Sequence, residues 1–598
     1  MEARTPLRPL SIPDRPSRTR AKATLILSIL LLNGYASAET LLARSDRPSV
    51  SISPGLPSTS SVPRQLLTTF ESVLSSVTSS ADSLSSRTLR SARISIDGLP
   101  GTSIDETRDF EAIQAYLDCT VGDGQWVYDH AGTSLAVEGK GLPVHKMDSK
   151  FATCDKRFYK GPSDDDWQVR ESLKYRFEPS SSCASLLPSY LRPETPLAVV
   201  PSRTRLCELL AHKSLLLLGS TTQYSLHDLV LDFTTTEPQS CYGDLYCKEH
   251  ALCGGILGSK DSESVENWDV DERVYHRLPL PPARNDKLRH PIVRKPSSKG
   301  LYPSSTYSTL LRYRRTDGLR PSTAQTLPNY QHPFTQLAEK NQQWLADSRR
   351  SDVVVLEKAP VPLPLRSHNA TFDEWFHHYV EDADVRNEDR VQRIIEAVGE
   401  ATDKVWIPEL LEALKSIRSE PSPSDQLVVY RSGWRIQHDC AASSASDDWD
   451  SPGDGNLPPL SRQPDLGRLI YRSDGSLQPI HVLYHNLQLV VQNHVSRTVI
   501  LPRFGIPFLD LETPLSIWRA GMLGGSNAGR EVRGMKSSVS GDCSRYCWPS
   551  PGLAVEGAFI GGLARLMELG WAGSREKEWV GDEFRNLRMR LKDREGFT

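Results

Sequence analysis

Apolar residues along the chain collect in short runs of strand length, separated by polar and helical stretches. Ser214 to Leu218, Val353 to Leu356, Leu427 to Tyr430, His481 to Tyr484 and Ile506 to Leu511 each read as a strand. Runs that are apolar throughout, rather than alternating, suit strands buried on both faces. Leu226 to Phe233 and Pro408 to Arg418 read as helices. The second opens with Pro408, which a first helical turn tolerates, and sets Leu410, Leu411, Leu414 and Ile417 on one face. Strands alternating with helices predict an α/β fold with a mainly parallel sheet covered on both sides.

The pattern divides the chain. From Asp105 onward it has globular character, whereas residues 39–104 are rich in Ser, Thr, Pro and Arg and read as a largely disordered stalk. Within the stalk, Leu66, Leu67, Phe70, Val73, Leu74, Val77 and Leu84 recur at helical spacing. They predict a short amphipathic helix, expected to form transiently. Its polar face is Ser/Thr rather than Lys/Arg, which disfavours docking on a membrane surface. Ser259 to about Ser304 and Ala441 to Pro464 lack periodicity and read as insertions into the globular part. No internal repeat is evident.

At the N-terminus, Arg15, Arg18, Arg20 and Lys22 precede an apolar run from Ala23 to Leu32 and then Ala36-Ser37-Ala38. The run is shorter than the roughly 20 apolar residues that span a bilayer. Residues 1–38 therefore read as a cleaved signal peptide, with an uncleaved signal anchor as the alternative. Either reading directs the rest of the chain to the secretory lumen or outside the cell. The cysteines agree with this. There are ten in 598 residues (Cys119, Cys154, Cys183, Cys207, Cys241, Cys247, Cys253, Cys440, Cys543 and Cys547), an even number that suggests disulfides in a secretory chain. Asn369-Ala370-Thr371 is an N-glycosylation sequon. The formal net charge of −3 supplies no field for nucleic acid, and no nucleic-acid partner is expected.

Two motif frames carry the candidate chemistry. Gly219-Ser220-Thr221 follows the leucine run like a strand ending in Gly-Asp-Ser, and Asp542-Cys543-Ser544-Arg545-Tyr546-Cys547 has the frame of an Asp-Cys-x-His-x-Cys motif. Further blocks appear in order. They are Cys119 with Gln125-Trp126-Val127-Tyr128-Asp129; Cys154 and Trp167; Tyr175-Arg176-Phe177-Glu178-Pro179 with Cys183; and Leu206-Cys207-Glu208-Leu209-Leu210 before the leucine run. Together they resemble the PC-esterase family, which includes the trichome birefringence-like proteins and fungal relatives. The resemblance covers roughly residues 115–570. It implies an SGNH/GDSL-like three-layer α/β/α sandwich, and it implies acetyl-ester chemistry on glycans, with a Ser nucleophile and an Asp-oriented His base.

The residues at those positions depart from the pattern. Ser220 stands at the family's Asp and Thr221 at its Ser, so either hydroxyl is a candidate nucleophile; a plain helix cap is the other reading. Arg545 stands at the motif His, and a guanidinium cannot act as general base. Its expected role is an ion pair with Asp542 or an anionic ligand. A relocated base would have to be His438 or His227. Gly219 and Glu357 fall at oxyanion positions, where relatives tend to carry Asn in place of Glu357. Ionised Glu357 would repel an oxyanion, and a simple Glu357–Lys358 loop pairing is the alternative reading.

Cys241, Cys247, His250 and Cys253 have zinc-ligand spacing, but disulfides are the stronger expectation in this compartment, and neither metal nor cofactor is expected. The functional expectation is a glycan O-acyltransferase or acylesterase with a remodelled triad, acting on a glycan or polysaccharide. Its acetyl donor would come from another, membrane-embedded protein, and its site of action would be the Golgi lumen, type II membrane-anchored, or secreted. The alternative is an inactive relative that binds glycan or a partner enzyme. A structural protein with a closed pocket is a third option.

Overall fold

The computed structural model describes residues 62–92, 104–128, 175–183, 203–210, 213–234, 249–253, 309–320, 330–331, 338–339, 344–349, 351–361, 384–418, 426–436, 459–460, 462, 464–472, 475–516, 546 and 550–568. In chain order the elements that build the fold are helices α1 (Arg64–Ser91) and α2 (Ile104–Val121), strands β1 (Gly124–Tyr128) and β2 (Tyr175–Pro179), helix α3 (Arg203–Leu210), strand β3 (Ser214–Gly219) and helix α4 (Thr221–Thr234). Strands β4 (Glu249–Leu252) and β5 (Thr309–Arg315) follow, then a two-residue pairing of β6 (Tyr330–Gln331) with β7 (Ala338–Glu339), helix α5 (Trp344–Ser348) and strand β8 (Val353–Leu356). The remainder comprises α6 (Asn387–Ala401), α7 (Ile407–Arg418), β9 (Leu427–Arg431), α8 (Leu466–Ile470), α9 (Ile480–Val495), β10 (Phe508–Leu509) and α10 (Gly562–Glu568).

The central sheet runs β10-β9-β8-β3-β5-β4. Its first five strands are mutually parallel, and β4 joins the β5 edge antiparallel. Taken in sequence order, the five parallel strands are arranged 2-1-3-4-5, the doubly wound order in which the chain leaves β3 for one side and later returns to the other. Alternate residues of each strand feed separate cores. Leu215, Leu217, Val353, Val355, Leu427 and Val429 face one apolar layer, and Leu216, Leu218, Val354, Leu356, Val428 and Tyr430 face the other. This is the mainly parallel, doubly covered α/β sheet predicted from the apolar runs, consistent with the α/β/α sandwich that the resemblance implied, and the strands expected at 214, 353 and 427 are present.

Helix α1 corrects the reading of the stalk. It is 28 residues long and part of the fold: Leu66, Phe70, Val77, Ala81 and Leu89 are buried in the second core. It runs alongside α6, with Gln65 Nε2 donating to Gln392 Oε1 at 2.8 Å. Gly399 lets the two helices close up, because a Cβ there would lie 2.7 Å from Val73. Arg503 then ties the far end, with Nη1 donating to Ser86 Oγ at 2.6 Å and an ion pair to Asp82. The apolar stripe was legible, but the surface it covers comes from residues some 300 positions later in the sequence.

Two further expectations change. His481 to Tyr484 is not a strand but the first turn of α9, because the polar positions that follow recur at helical spacing. Strand β5 escaped the apolar-run reading because Arg312 and Arg314 interrupt it. Both are buried, and Asp347 of α5 compensates them, Arg314 Nε donating to Asp347 Oδ2 at 2.6 Å. Pro408 lies in the second position of α7, immediately after a π turn, Thr402–Trp406, that joins α6 to α7. Proline cannot supply the N–H that a regular helix needs there, and the wider turn absorbs the defect.

Blocks distant in sequence meet in a small appended unit. Strand β1 pairs antiparallel with β2, setting Trp126 opposite Phe177 with ring centroids 5.4 Å apart. Trp126 Nε1 donates to Pro514 O at 3.2 Å, and its ring fills the space where a Cβ on Gly552 would sit. Disulfides join Cys119 to Cys183 and Cys207 to Cys253. They mark a chain that folds in an oxidising compartment, in the secretory pathway or outside the cell. Among the described residues no helix is long and apolar enough to cross a membrane.

Truncating a side chain that α1 contributes to the core tests its place in the fold. Phe70→Ala is expected to cost about 3 kcal/mol in denaturant unfolding. Unchanged stability would return the helix to the stalk.

Candidate functional site

In a doubly wound sheet the crevice for a ligand opens outside the carboxyl ends of the strands where the winding reverses. Here that point lies between β3 and β8. It brings Gly219, Ser220, Glu357 and Arg431 together at neighbouring strand ends.

The leucine run ends at Gly219, whose φ of +154° and crowded surroundings admit only glycine: a Cβ would lie 2.5 Å from Glu357 Oε2. Its carbonyl accepts from Thr316 N at 3.0 Å. Ser220 then caps α4, its Oγ accepting from Thr222 N at 3.2 Å and lying 2.8 Å from Thr222 Oγ1. An N-cap hydroxyl satisfies one of the amides left open at a helix start. The Ser220 carbonyl accepts from the Tyr313 hydroxyl at 2.9 Å. Thr221 begins α4 as the sequence frame required.

Glu357, expected from the resemblance to stand in place of an Asn, does the opposite of donating. Its Oε2 accepts the Ser220 N–H at 2.7 Å, so the amide best placed to stabilise an oxyanion already carries a carboxylate. Arg431, fully buried at the end of β9, holds that carboxylate in place with Nη2 3.4 Å from Oε2. The same guanidinium donates to Thr222 Oγ1 at 2.7 Å, to Gln223 Oε1 at 2.6 Å and to Ser432 O at 3.0 Å. Gln223 Nε2 in turn donates to Val355 O at 3.1 Å. Burial pulls the Arg431 pKa down, and Glu357 is the first of the groups opposing that shift.

Lys358 does not pair with Glu357. Its ammonium turns to the other face, donating to Gly318 O at 2.7 Å and to Glu409 at 2.6 Å. Glu409 also pairs with Arg320. Burial alone would raise the Glu409 pKa, but Lys358 and Arg320 together hold it below the usual range. The exit from β8 is therefore pinned on both sides of the sheet, a constraint that sequence spacing did not reveal.

His227, a candidate base, is a core residue. Its ring stacks on Tyr224 at 5.5 Å, Nδ1 lies 3.3 Å from Asp228, and burial drives its pKa down to about 3. A group so weakly basic and so enclosed is unsuited to taking a proton from Ser220. The zinc reading also fails at one of its four members, because Cys253 is bonded to Cys207. Asp542, Arg545, His438 and Asn369 lie outside the described residues, as do Cys154, Cys241, Cys247, Cys440, Cys543 and Cys547.

The end of the second motif nevertheless reaches the site. Tyr546, directly after Arg545, packs edge-on against Trp434 with centroids 6.0 Å apart. Arg431 sits 5.1 Å above the same Trp434 ring. Two ring contacts thus connect Tyr546 of the second motif to the guanidinium that holds Thr222. Arg431, Gln223 and Trp434 were missed in the sequence because they belong to no motif frame; only the Arg at the end of an apolar strand run hinted at them. Comparison with known protein families, with curated proteins and with solved structures finds no significant match to this chain.

The lock between Glu357 and Arg431 has a direct energetic signature. Arg431→Met is expected to destabilise the protein by about 3–5 kcal/mol, since it strands a buried carboxylate. Adding Glu357→Gln removes that charge while keeping an acceptor for Ser220 N–H, so the double variant should recover much of the loss in a denaturant midpoint. Additive losses would show that the two residues are not coupled.

Proposed function

We propose that this chain is a secretory-pathway protein of SGNH-like architecture whose acyl-ester site has been converted into a non-hydrolytic one, and that it binds glycan. One observation carries the reading: the Ser220 amide, the donor that an ester-cleaving site of this layout needs, is occupied by the Glu357 carboxylate and braced by Arg431. A tetrahedral oxyanion there would meet negative charge instead of a donor. The Ser220 hydroxyl is engaged in capping, and no imidazole among the described residues contacts it.

Family resemblance supports the glycan half of the proposal. Among the described residues, the blocks around Trp126 and Phe177 pair as β1 and β2 and the leucine run ends at the carboxyl edge of the sheet, and a parallel strand order would suit a nucleophile-bearing turn after the first strand. The same resemblance favours the Golgi lumen, anchored or free, or the secreted fraction as the site of action. A second reading, glycan O-acetyl transfer or removal, draws support from the half-exposed Ser220 and Thr222 at the switch point. It requires a base and a donor from elsewhere, the donor delivered by a membrane protein.

The test uses residues 39–598 and follows acetate release from an aryl acetate and from acetylated oligosaccharides, with binding of those oligosaccharides measured by calorimetry. Binding is expected, with no turnover above that of Ser220→Ala/Thr221→Val. Turnover abolished by that double variant and by Asp542→Asn would overturn the non-hydrolytic reading in favour of a working triad.

A further inference from the structure

Strand β5 ends in Arg312, Tyr313, Arg314 and Arg315, and the alternation of a strand sends them to different faces of the sheet. Arg312 and Arg314 share one face, where Asp347 of α5 meets both. Tyr313 takes the other, with its ring 5.3 Å from that of Tyr224 in α4 and its hydroxyl on the Ser220 carbonyl at 2.9 Å. Arg315 follows Tyr313 on that α4 face, and the strand register sets it directly beside Gly219. The next residue fastens the same point, Thr316 N donating to Gly219 O at 3.0 Å. Burial raises the Tyr313 pKa well above its ordinary value. Asp317 and Glu357 add to the rise and Arg315 opposes it, so all three charges reach the hydroxyl that holds Ser220.

Arg315 is fixed in place yet keeps donors to spare. Its Nε and Nη2 each donate to one oxygen of Asp317 at 3.3 Å. The turn carrying Asp317 is tied to the exit of β8, with Ala359 N donating to Asp317 O at 3.1 Å and Lys358 Nζ to Gly318 O at 2.7 Å. A guanidinium carries five N–H groups. With one edge on Asp317, the Arg315 Nη1 end has no hydrogen-bond partner among the described residues. The Arg315 side chain is 22% exposed, whereas Arg312, Arg314 and Arg431 are sealed. Of these four, Arg315 alone reaches solvent beside the Ser220 turn.

The two sides of Gly219 therefore differ in the charge they offer. On the β8 side, the Glu357 carboxylate is buried and already paired with Arg431. On the β5 side, Arg315 presents an open, two-pronged edge. We propose that Arg315 selects a carboxylate-bearing glycan, a chain of uronic acids, at this crevice, an inference that rests on the glycan-binding reading above. A planar carboxylate matches the free edge of a guanidinium with two parallel hydrogen bonds. An arginine already braced by Asp317 loses little freedom in making them. The half-exposed hydroxyls of Ser220 and Thr222, 2.8 Å apart, follow Gly219 directly and offer donors and acceptors to the ring hydroxyls of the sugar.

The experiment is a calorimetric titration of the full chain with a mannuronate tetrasaccharide and with its fully methyl-esterified form, which keeps the backbone and removes the charge. The acid is expected to bind, and the ester to bind about tenfold or more weakly, as for hydrogen bonds to a charged group. Arg315→Gln should bring the acid down to the affinity of the ester and leave the ester unchanged. Arg315→Lys keeps the charge and a partner for Asp317 but loses the two-pronged edge, so its affinity for the acid should fall between. Arg386→Gln removes an arginine whose side chain is 75% exposed at the start of α6, and should bind both forms as wild type does. Circular dichroism and thermal unfolding of the variants establish that any loss is not a loss of fold. Equal affinity for acid and ester, or full affinity for the acid in Arg315→Gln, would overturn the proposal while the glycan reading stands. Binding of neither form would overturn it alone if the acetylated oligosaccharides bind, and would overturn both readings if they do not.

Discussion

A buried carboxylate must have partners, and the partners that Glu357 takes decide what the carboxyl edge of this sheet can do. It draws on the Ser220 amide at the start of α4 and on the Arg431 guanidinium at the end of β9. Those contacts cross three adjacent strands, so β3, β8 and β9 are fixed to one another at their functional ends as well as along their ladders. Gly219 follows as a necessity, because any side chain there would displace the carboxylate. The rest of the local network has the same origin: Arg431 needs acceptors to offset its own burial, and finds them in Thr222, Gln223 and the Ser432 carbonyl. The turn after the leucine run is thereby a polar brace.

Around this brace the sandwich is closed by elements from distant parts of the chain. One layer is sealed by the β1–β2 unit and the C-terminal helices, with Trp126 locked between Phe177, Pro514 and Gly552. The other is sealed by α6, α7 and α9, and by α1 from well upstream of the sheet. Two disulfides reinforce the first layer, Cys119–Cys183 beside β1–β2 and Cys207–Cys253 between α3 and the β4 edge.

Much of this was legible in the residues. Val353 to Leu356 could be read to the residue because a parallel strand covered on both faces must be apolar throughout. The turn after the leucine run was also legible, since the strand, the glycine and the helix start are local. What escaped depended on partners remote in sequence. Strand β5 hid behind Arg312 and Arg314, whose burial becomes tolerable only once Asp347 is beside them. His481 to Tyr484 looked like a strand because the segment is short and apolar on its own. Helix α1 showed its stripe but not its target. Glu357 was read as a departure from an Asn, yet its bond to the Ser220 amide and its dependence on Arg431 require the sheet order, which no local pattern encodes.

The most direct measurement is covalent trapping of the Ser220–Thr221 turn. A small alkyl fluorophosphonate reacts with hydroxyls that have both an activating base and a free oxyanion donor, and intact-mass analysis with peptide mapping locates the adduct. With Glu357 seated on the Ser220 amide, no adduct on Ser220 or Thr221 is expected, while the folded protein remains monodisperse. A stoichiometric phosphonyl adduct on either hydroxyl would mean that the donor is free and the base present, and would contradict the account.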